Sequence, residues 1–224
     1  MTSIAIPMRH PTAALRKNKQ PPNAISFIGS IQSTWKGNEE FAMWLVQRLR
    51  PKTTVDLGFD RGLSTIAFAY RNGGHVFGVD WFEEGNYADK SIALDSAFNN
   101  ISAAIRYNYV KNIHLIIGPF PHVSKNWKRK IDLLHIDWAH SYRSAQRHYE
   151  NWSQFLKSDS VILMHDVTAF SEGAGRAFRE IPLPKIVLPN HSGLGIASAN
   201  VELLTEIRNT HPFRPGVGEG LGTH

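Results

Sequence analysis

The chain has 224 residues, of which 42% are hydrophobic and 20% charged, with a net charge of +6 and no cysteine. That balance describes a globular α/β-sized domain and excludes disulfides, thiolate metal sites and a cysteine nucleophile. No apolar run approaches the roughly 18 residues of a membrane span, and none near Met1 has the character of a signal-peptide core, so no membrane partner and a cytoplasmic location are expected.

Residues 1–37 are expected to form an N-terminal arm or lid. No acid precedes Glu39, whereas Arg9, Arg16, Lys17, Lys19 and Lys36 are basic. Prolines at 7, 11, 21 and 22 break any amphipathic helix, which argues against a transit peptide. An arm that covers the site or packs on another subunit fits better, so a homo-oligomer is plausible. A single domain is expected over 38–212 and a Gly-rich flexible tail over 213–224.

Within the domain, Phe41, Trp44, Leu45 and Leu49 recur at helical spacing over Glu39–Leu49, with Asn38 as cap and Pro51 as stop. Thr53–Leu57 reads as a strand, Gly62–Arg71 as a helix and His75–Asp80 as a second strand. Ser91–Tyr109 reads as a long helix presenting Ile92, Phe98, Ile101 and Ile105. His114–Gly118 and Ile131–Asp137 are the third and fourth strands. Tyr142, Ala145, Tyr149, Trp152 and Leu156 form one apolar stripe, which predicts a helix over Ser141–Leu156 packed on the core. Ser160–His165 is a fifth strand and Gly173–Arg179 a helix. Lys185–Leu188 and Gly195–Ser198 are short strands around a turn at Asn190–Gly193. The alternation predicts a mostly parallel sheet of seven strands with helices on both faces, which binds its ligands beyond the carboxyl ends of the strands.

The residues at those ends carry the chemistry. Asp56-Leu57-Gly58-Phe59-Asp60-Arg61-Gly62 follows the first strand, and its glycines permit a sharp turn and a close approach to a ligand. It lacks the spacing of dinucleotide and phosphate loops. Asp80 ends the second strand, where a carboxylate can accept both hydroxyls of a ribose, and Trp81 is placed to lie against an adenine face. The fourth strand ends at Asp137, with His140 one loop turn away, and the fifth ends at His165-Asp166. Two neighbouring strand ends lie about 5 Å apart. Asp137, His165 and Asp166 thus suit a divalent metal, and His140 a proton acceptor. His165 can instead serve only as a hydrogen-bond partner of a neighbouring loop, and His140 as a histidine bonded to backbone. His135, two residues deeper in the sheet, reads as structural.

These residues resemble the class I methyltransferases that use S-adenosylmethionine, whose Rossmann-like fold matches the expected sheet. Ile136-Asp137-Trp138-Ala139-His140-Ser141-Tyr142, then Glu150 and Trp152, then His165-Asp166 and Gly193-Leu194-Gly195, are similar to the subgroup of macrocin O-methyltransferase and related tailoring enzymes. The resemblance covers about residues 38–200. It implies that Asp56 faces the methionine end of the cofactor and Asp80 its ribose, and that Gly118, Pro119 and Phe120 border the adenine. With Gly58, Asp60, Gly62, Ser64 and Trp81, these are the candidate cofactor residues. It further implies that Asp137 and Asp166 bind a divalent metal such as magnesium, with His140 as general base beside Asp137. Some relatives carry two adjacent acids where this chain has His165-Asp166.

The expected activity is therefore metal-assisted O-methylation of a small-molecule or sugar hydroxyl. Two alternatives are a nucleic acid or acidic glycan as acceptor, drawn from the basic balance, and a non-catalytic binding protein on the same scaffold. The first is disfavoured by Asp137-Trp138-Ala139-His140, which stands where nucleic-acid methyltransferases carry Asn/Asp-Pro-Pro-aromatic. Residues 1–37, 81–96 and 167–182 are expected to wall the acceptor site. Phe27, Trp35, Trp81, Phe82 and Tyr87 are candidates for an apolar lining.

Overall fold

A computed structural model describes residues 21–82, 90–138, 140–190 and 192–210. Five strands run parallel: β1 (Thr53–Leu57), β2 (His75–Asp80), β3 (Ile113–Ile117), β4 (Ile131–Ile136) and β5 (Leu156–His165). β6 (Lys185–Leu188) and β7 (Leu194–Ser198) complete the sheet, with β7 antiparallel to both β5 and β6. The order is β3-β2-β1-β4-β5-β7-β6. This is the expected mostly parallel sheet of seven strands with helices on both faces.

Alternation along each strand splits the core into two layers. Val76, Leu133, Val161 and Leu163 face α1 (Ala24–Ser30), α2 (Glu39–Leu49), α3 (Leu63–Ala69) and α8 (Val201–Thr210). Val55, Leu57, Val79, Leu134, Ile136, Ile162 and Met164 face α5 (Phe120–Asn126), α6 (Tyr142–Ser153) and α7 (Ala174–Glu180). β1 and β4 sit in the middle, so the residues at their carboxyl ends meet at the centre of one edge.

Several local expectations change. Residues 24–37 are built into the domain rather than lying apart from it: Ile28, Ile31 and Trp35 are buried in the first core layer. Each such side chain contributes about 1.5–3 kcal/mol on burial, enough to hold the segment down. α4 (Lys90–Arg106) buries Ala93, Ala97, Ile101 and Ala104, while Ile92, Phe98 and Ile105 are exposed. The small alanine face lets α4 pack closely, and of the larger apolar residues that drew the sequence reading only Ile101 is buried, the other three being exposed. Leu156 opens β5 instead of ending α6, because α6 stops at Ser153. Phe27 packs on Tyr107 and Tyr109, and Trp35 lies buried against Phe68 and His135, so neither lines a pocket at the carboxyl edge. Tyr87 and the tail 213–224 lie outside the described residues. No described helix is long and apolar enough to cross a membrane.

Candidate active site

Gly58 turns the chain out of β1 with φ +87°, and its N–H donates to the Val79 carbonyl at 2.8 Å. A Cβ on Gly58 would stand 2.5 Å from the Asp137 carbonyl oxygen. The loop after β1 and the backbone after β4 are thus in direct contact, and the Asp137 N–H donates to the Leu57 carbonyl at 2.9 Å. Gly62, also at φ +87°, opens α3 against the Ile101 side chain. Gly58→Ala combines a left-handed backbone with a backbone collision. It is expected to cost about 1–3 kcal/mol and lower the melting temperature by several degrees. An unchanged melting temperature would contradict the tight approach.

Asp56 differs from expectation. Its carboxylate is fully buried and accepts hydrogen bonds from Ser64 Oγ (2.7 Å), Thr65 Oγ1 (2.5 Å) and His135 Nδ1 (2.7 Å). Trp35 Nε1–H donates to His135 Nε2 at 3.0 Å, which leaves the ring proton on Nδ1, facing Asp56. Asp56 and Ser64 therefore spend their polar groups on each other, not on the cofactor edge. They pin the start of α3 to β1 and so shape the glycine loop between them.

Asp80 is buried at the end of β2, and its Oδ2 accepts the Asp60 N–H at 3.0 Å. Burial pushes its pKa up to about 7, reinforced by the Asp60 and Asp56 carboxylates and opposed by the backbone N–H groups. Asp60 is itself raised, chiefly by burial, and its carboxylate accepts Ser33 Oγ at 3.4 Å. Ser33 lies on the segment anchored by Trp35, so residues before α2 touch the loop. Trp81 is half-buried after β2. Gly118 follows β3, with its N–H donated to the Asp80 carbonyl at 2.9 Å, and Pro119 caps α5. Phe120 is buried 5.4 Å from the Trp138 ring and does not reach the surface.

The ends of β4 and β5 bring together the acids and imidazoles. Asp137, His165 and Asp166 each offer a ligand atom within 4.8 Å of the others. His165 Nδ1 lies 2.9 Å from Asp137 Oδ1 and 3.3 Å from Asp166 Oδ1. Burial alone would lower the His165 pKa; the two carboxylates outweigh it and hold it at about 10. His140 Nε2 lies 3.1 Å from Asp166 Oδ2, and that bond is the main reason its pKa is raised. Burial opposes ionised Asp166, but both imidazoles hold its pKa well below the usual carboxylate range. Asp166 adopts φ +65°, a left-handed conformation that aspartate tolerates better than most residues.

The donor set suits a divalent cation: two carboxylates and an imidazole, already converged, carrying a proton that a cation would replace. His165 Nε2 is buried without a hydrogen-bond partner among the described residues, so the ring is held by its Nδ1 side alone.

Phe170 stacks on His140 at 4.3 Å and 14°. The Ala174 N–H donates to the His140 carbonyl at 3.3 Å. Sequence reading placed 167–182 near the site but did not single out Phe170, which carries no motif of its own. Its signal is positional, a few residues past the strand-ending Asp166.

A family described as a methyltransferase domain matches residues 55–167. The O-methyltransferase from Bacillus cereus, solved with SAH, superposes with a TM-score of 0.58 at 18% identity, covering 79% of this chain and 86% of that one. TomG from Streptomyces achromogenes, an O-methyltransferase of tomaymycin synthesis solved with SAM, gives 0.59 at 12%, covering 80% and 90%. SAH-bound PaMTH1 from Podospora anserina gives 0.54 at 15%, covering 72% and 77%. At these identities the likeness is one of fold. The protein y4gI of Sinorhizobium fredii is 28% identical over 73% of this chain, which spans only 19% of that relative's length.

Proposed function

We propose that the chain, a member of the methyltransferase-domain family, uses S-adenosylmethionine to methylate a hydroxyl of a small molecule or sugar with the help of a divalent cation. What supports this reading is the contact between the glycine loop and the Asp137 backbone, which brings the Asp137/His165/Asp166 cluster beside that loop.

In this reading Gly58, Asp60, Gly62 and Asp80 form the cofactor wall, with Trp81, Gly118 and Pro119 at its adenosine end. Asp80 supplies the ribose acceptor. Asp137, His165 and Asp166 would hold the cation, magnesium being the natural choice for an oxygen-rich set. A bound cation would lower the pKa of an acceptor hydroxyl and fix its orientation. His140 receives the proton: Asp166 holds its Nε2, leaving Nδ1 as the accepting atom, and Phe170 fixes the ring plane. The remaining demand on the protein is to align the acceptor oxygen with the sulfonium methyl, a matter of orientation and dry walls.

Two measurements test the reading. Calorimetric titration with S-adenosylmethionine should give one site per chain. Transfer of labelled methyl to a panel of phenolic, sugar and aliphatic hydroxyl acceptors should then yield a methyl ether. Transfer only to nitrogen, or to RNA, would overturn the acceptor class.

Asp80 adds a pH dependence. Its pKa of about 7 in the free protein means that it is protonated below that value. Ribose hydroxyls favour the carboxylate, so the bound form has the lower pKa and cofactor affinity rises with pH up to about 7. Below pH 7 the Kd should weaken by up to about tenfold per unit. A Kd independent of pH between 5.5 and 8 would contradict Asp80 as the ribose acceptor.

A further inference from the structure

Opposite the candidate active site, where β1 and β2 begin, lies a cavity of about 780 Å³ lined by Arg50, Lys52, Arg71, Gln47, Asn72 and His75, among others. Its size falls within the range of small-molecule sites, roughly 300–1,000 Å³. Three lining residues carry positive charge and none is acidic. Among the described residues, Arg50, Lys52 and Arg71 form no ion pair, whereas Arg48, on α2 itself, is paired with Glu206 at 2.9 Å. Asp132, at the start of neighbouring β4, is already engaged by the Thr53 N–H and by Lys157.

The backbone holds these cations in place. Gly74 is forced by close approach, since a Cβ there would collide with the Pro51 carbonyl oxygen and crowd Lys52. The turn before β2 thus packs backbone to backbone on the turn before β1, and Arg71, whose guanidinium lies 5.2 Å over the Tyr70 ring, lines the same cavity as Arg50 and Lys52. Arg50 and Arg71 are both left-handed, at φ 48° and 54°. Arg50 is the left-handed C-cap of α2, a position that helix ends usually give to glycine or asparagine. Asp60 and Asp166 of the candidate active site share the left-handed backbone, as does Asn108 past the end of α4. Cations after α2 and α3 also offset the helix dipoles, but that needs neither the left-handed backbone nor the cavity.

One further cation, Arg129, lies past the cavity. His75 Nδ1 and His114 Nε2 lie 2.9 Å apart and share a hydrogen bond. The Arg129 guanidinium lies 5.4 Å over the Phe77 ring, itself stacked on His114. Burial, then the charges of His75 and Arg129, lower the His114 pKa.

We propose that this cavity is a second ligand site, distinct from the methyl-transfer site, for a compact phosphate-bearing anion of two or more charges, such as a diphosphate group. Arg50 and Arg71 supply forked donors suited to phosphate oxygens, and Lys52 a point charge. The inference does not depend on the methyl acceptor.

The test is calorimetric titration of the full chain with inorganic pyrophosphate at moderate salt, repeated with Arg50→Asn/Arg71→Asn. Asparagine tolerates the left-handed backbone, so this variant should melt at or above the wild-type temperature and bind S-adenosylmethionine unchanged. Its pyrophosphate affinity should fall about tenfold for each cation removed, about 100-fold in total. Three results would overturn the proposal: no saturable binding to the wild type at millimolar pyrophosphate, equal binding by the variant, or binding only to a 20-nucleotide RNA with steep salt dependence. The last would mark an extended phosphodiester surface instead of a compact site.

Discussion

Asp137→Ala should lower methyl transfer by about 10²–10⁴-fold while leaving S-adenosylmethionine binding intact, because on the proposed reading it removes a cation ligand and part of the charge around the proposed proton acceptor, His140. The backbone contribution survives, since the Asp137 N–H to Leu57 bond and the contact with Gly58 do not involve the side chain. Asp137→Asn is the conservative partner. It keeps the shape and a hydrogen bond to His165 but removes one of the two charges that hold the His165 pKa at about 10. Both variants should be comparably inactive, and Asp137→Asn should retain the wild-type melting temperature within a few degrees. Steady-state rates and cofactor calorimetry on the same preparations separate chemistry from binding. Full activity in Asp137→Ala would contradict the assignment.

The largest stability effect is expected at Asp56. Replacing it with alanine strips the acceptor from Ser64, Thr65 and His135 at once, in a site with no exposure to water. Three orphaned buried donors at about 1–3 kcal/mol each give an expected loss of about 3–9 kcal/mol, a large share of a typical domain's stability. Trp35→Phe should cost less, about 1–3 kcal/mol, because it removes a single donor to His135 and keeps most of the ring packing against Phe68. The two share His135, so their effects should not add. A double-mutant cycle should show a coupling of about 0.5–3 kcal/mol. Urea denaturation measures all four proteins, and a loss under 1 kcal/mol in Asp56→Ala would contradict the network. Cofactor affinity should fall in the same order, because these residues shape the loop from Gly58 to Gly62.

The contrast between Asp137 and Asp56 explains how much of the site was legible in the sequence. Asp80, Asp137, His165 and Asp166 end or directly follow strands that short aliphatic and β-branched runs mark plainly, and a parallel sheet brings such ends to one edge. Their convergence needs only the strand order. Asp56 also ends its strand region, but whether it faces cofactor or core depends on partners far along the chain. His135 lies on another strand and Trp35 in a segment that reads as an arm. Pairings over such distances leave no periodic trace. The same limit applies to α4, where sequence patterning follows the largest apolar residues while close packing selected the alanines. α5 escaped because only Phe120 and Ser124 of its seven residues are buried. α8 was readable, with Leu203, Leu204 and Ile207 on one face, yet no element is assigned there from the sequence. α1 was hidden by the basic and proline-rich residues that precede it.

The left-handed residues divide the same way. Gly58 and Gly62 announce their turns. Arg50, Arg71 and Asp166 do not, because their side chains give no hint of the backbone they adopt. Both edges of the sheet therefore hold left-handed residues that only the structure exposes, one set beside the acids and imidazoles and the other beside cations that form no ion pair among the described residues.

The most direct test of the central claim is the rate of methyl transfer from labelled S-adenosylmethionine to a hydroxyl acceptor after exhaustive chelation. The rate should drop to background in excess chelator and return with added magnesium, whereas Asp137→Ala should stay inactive at any magnesium concentration. Undiminished transfer by the chelated wild-type protein would contradict metal-assisted methylation at Asp137, His165 and Asp166.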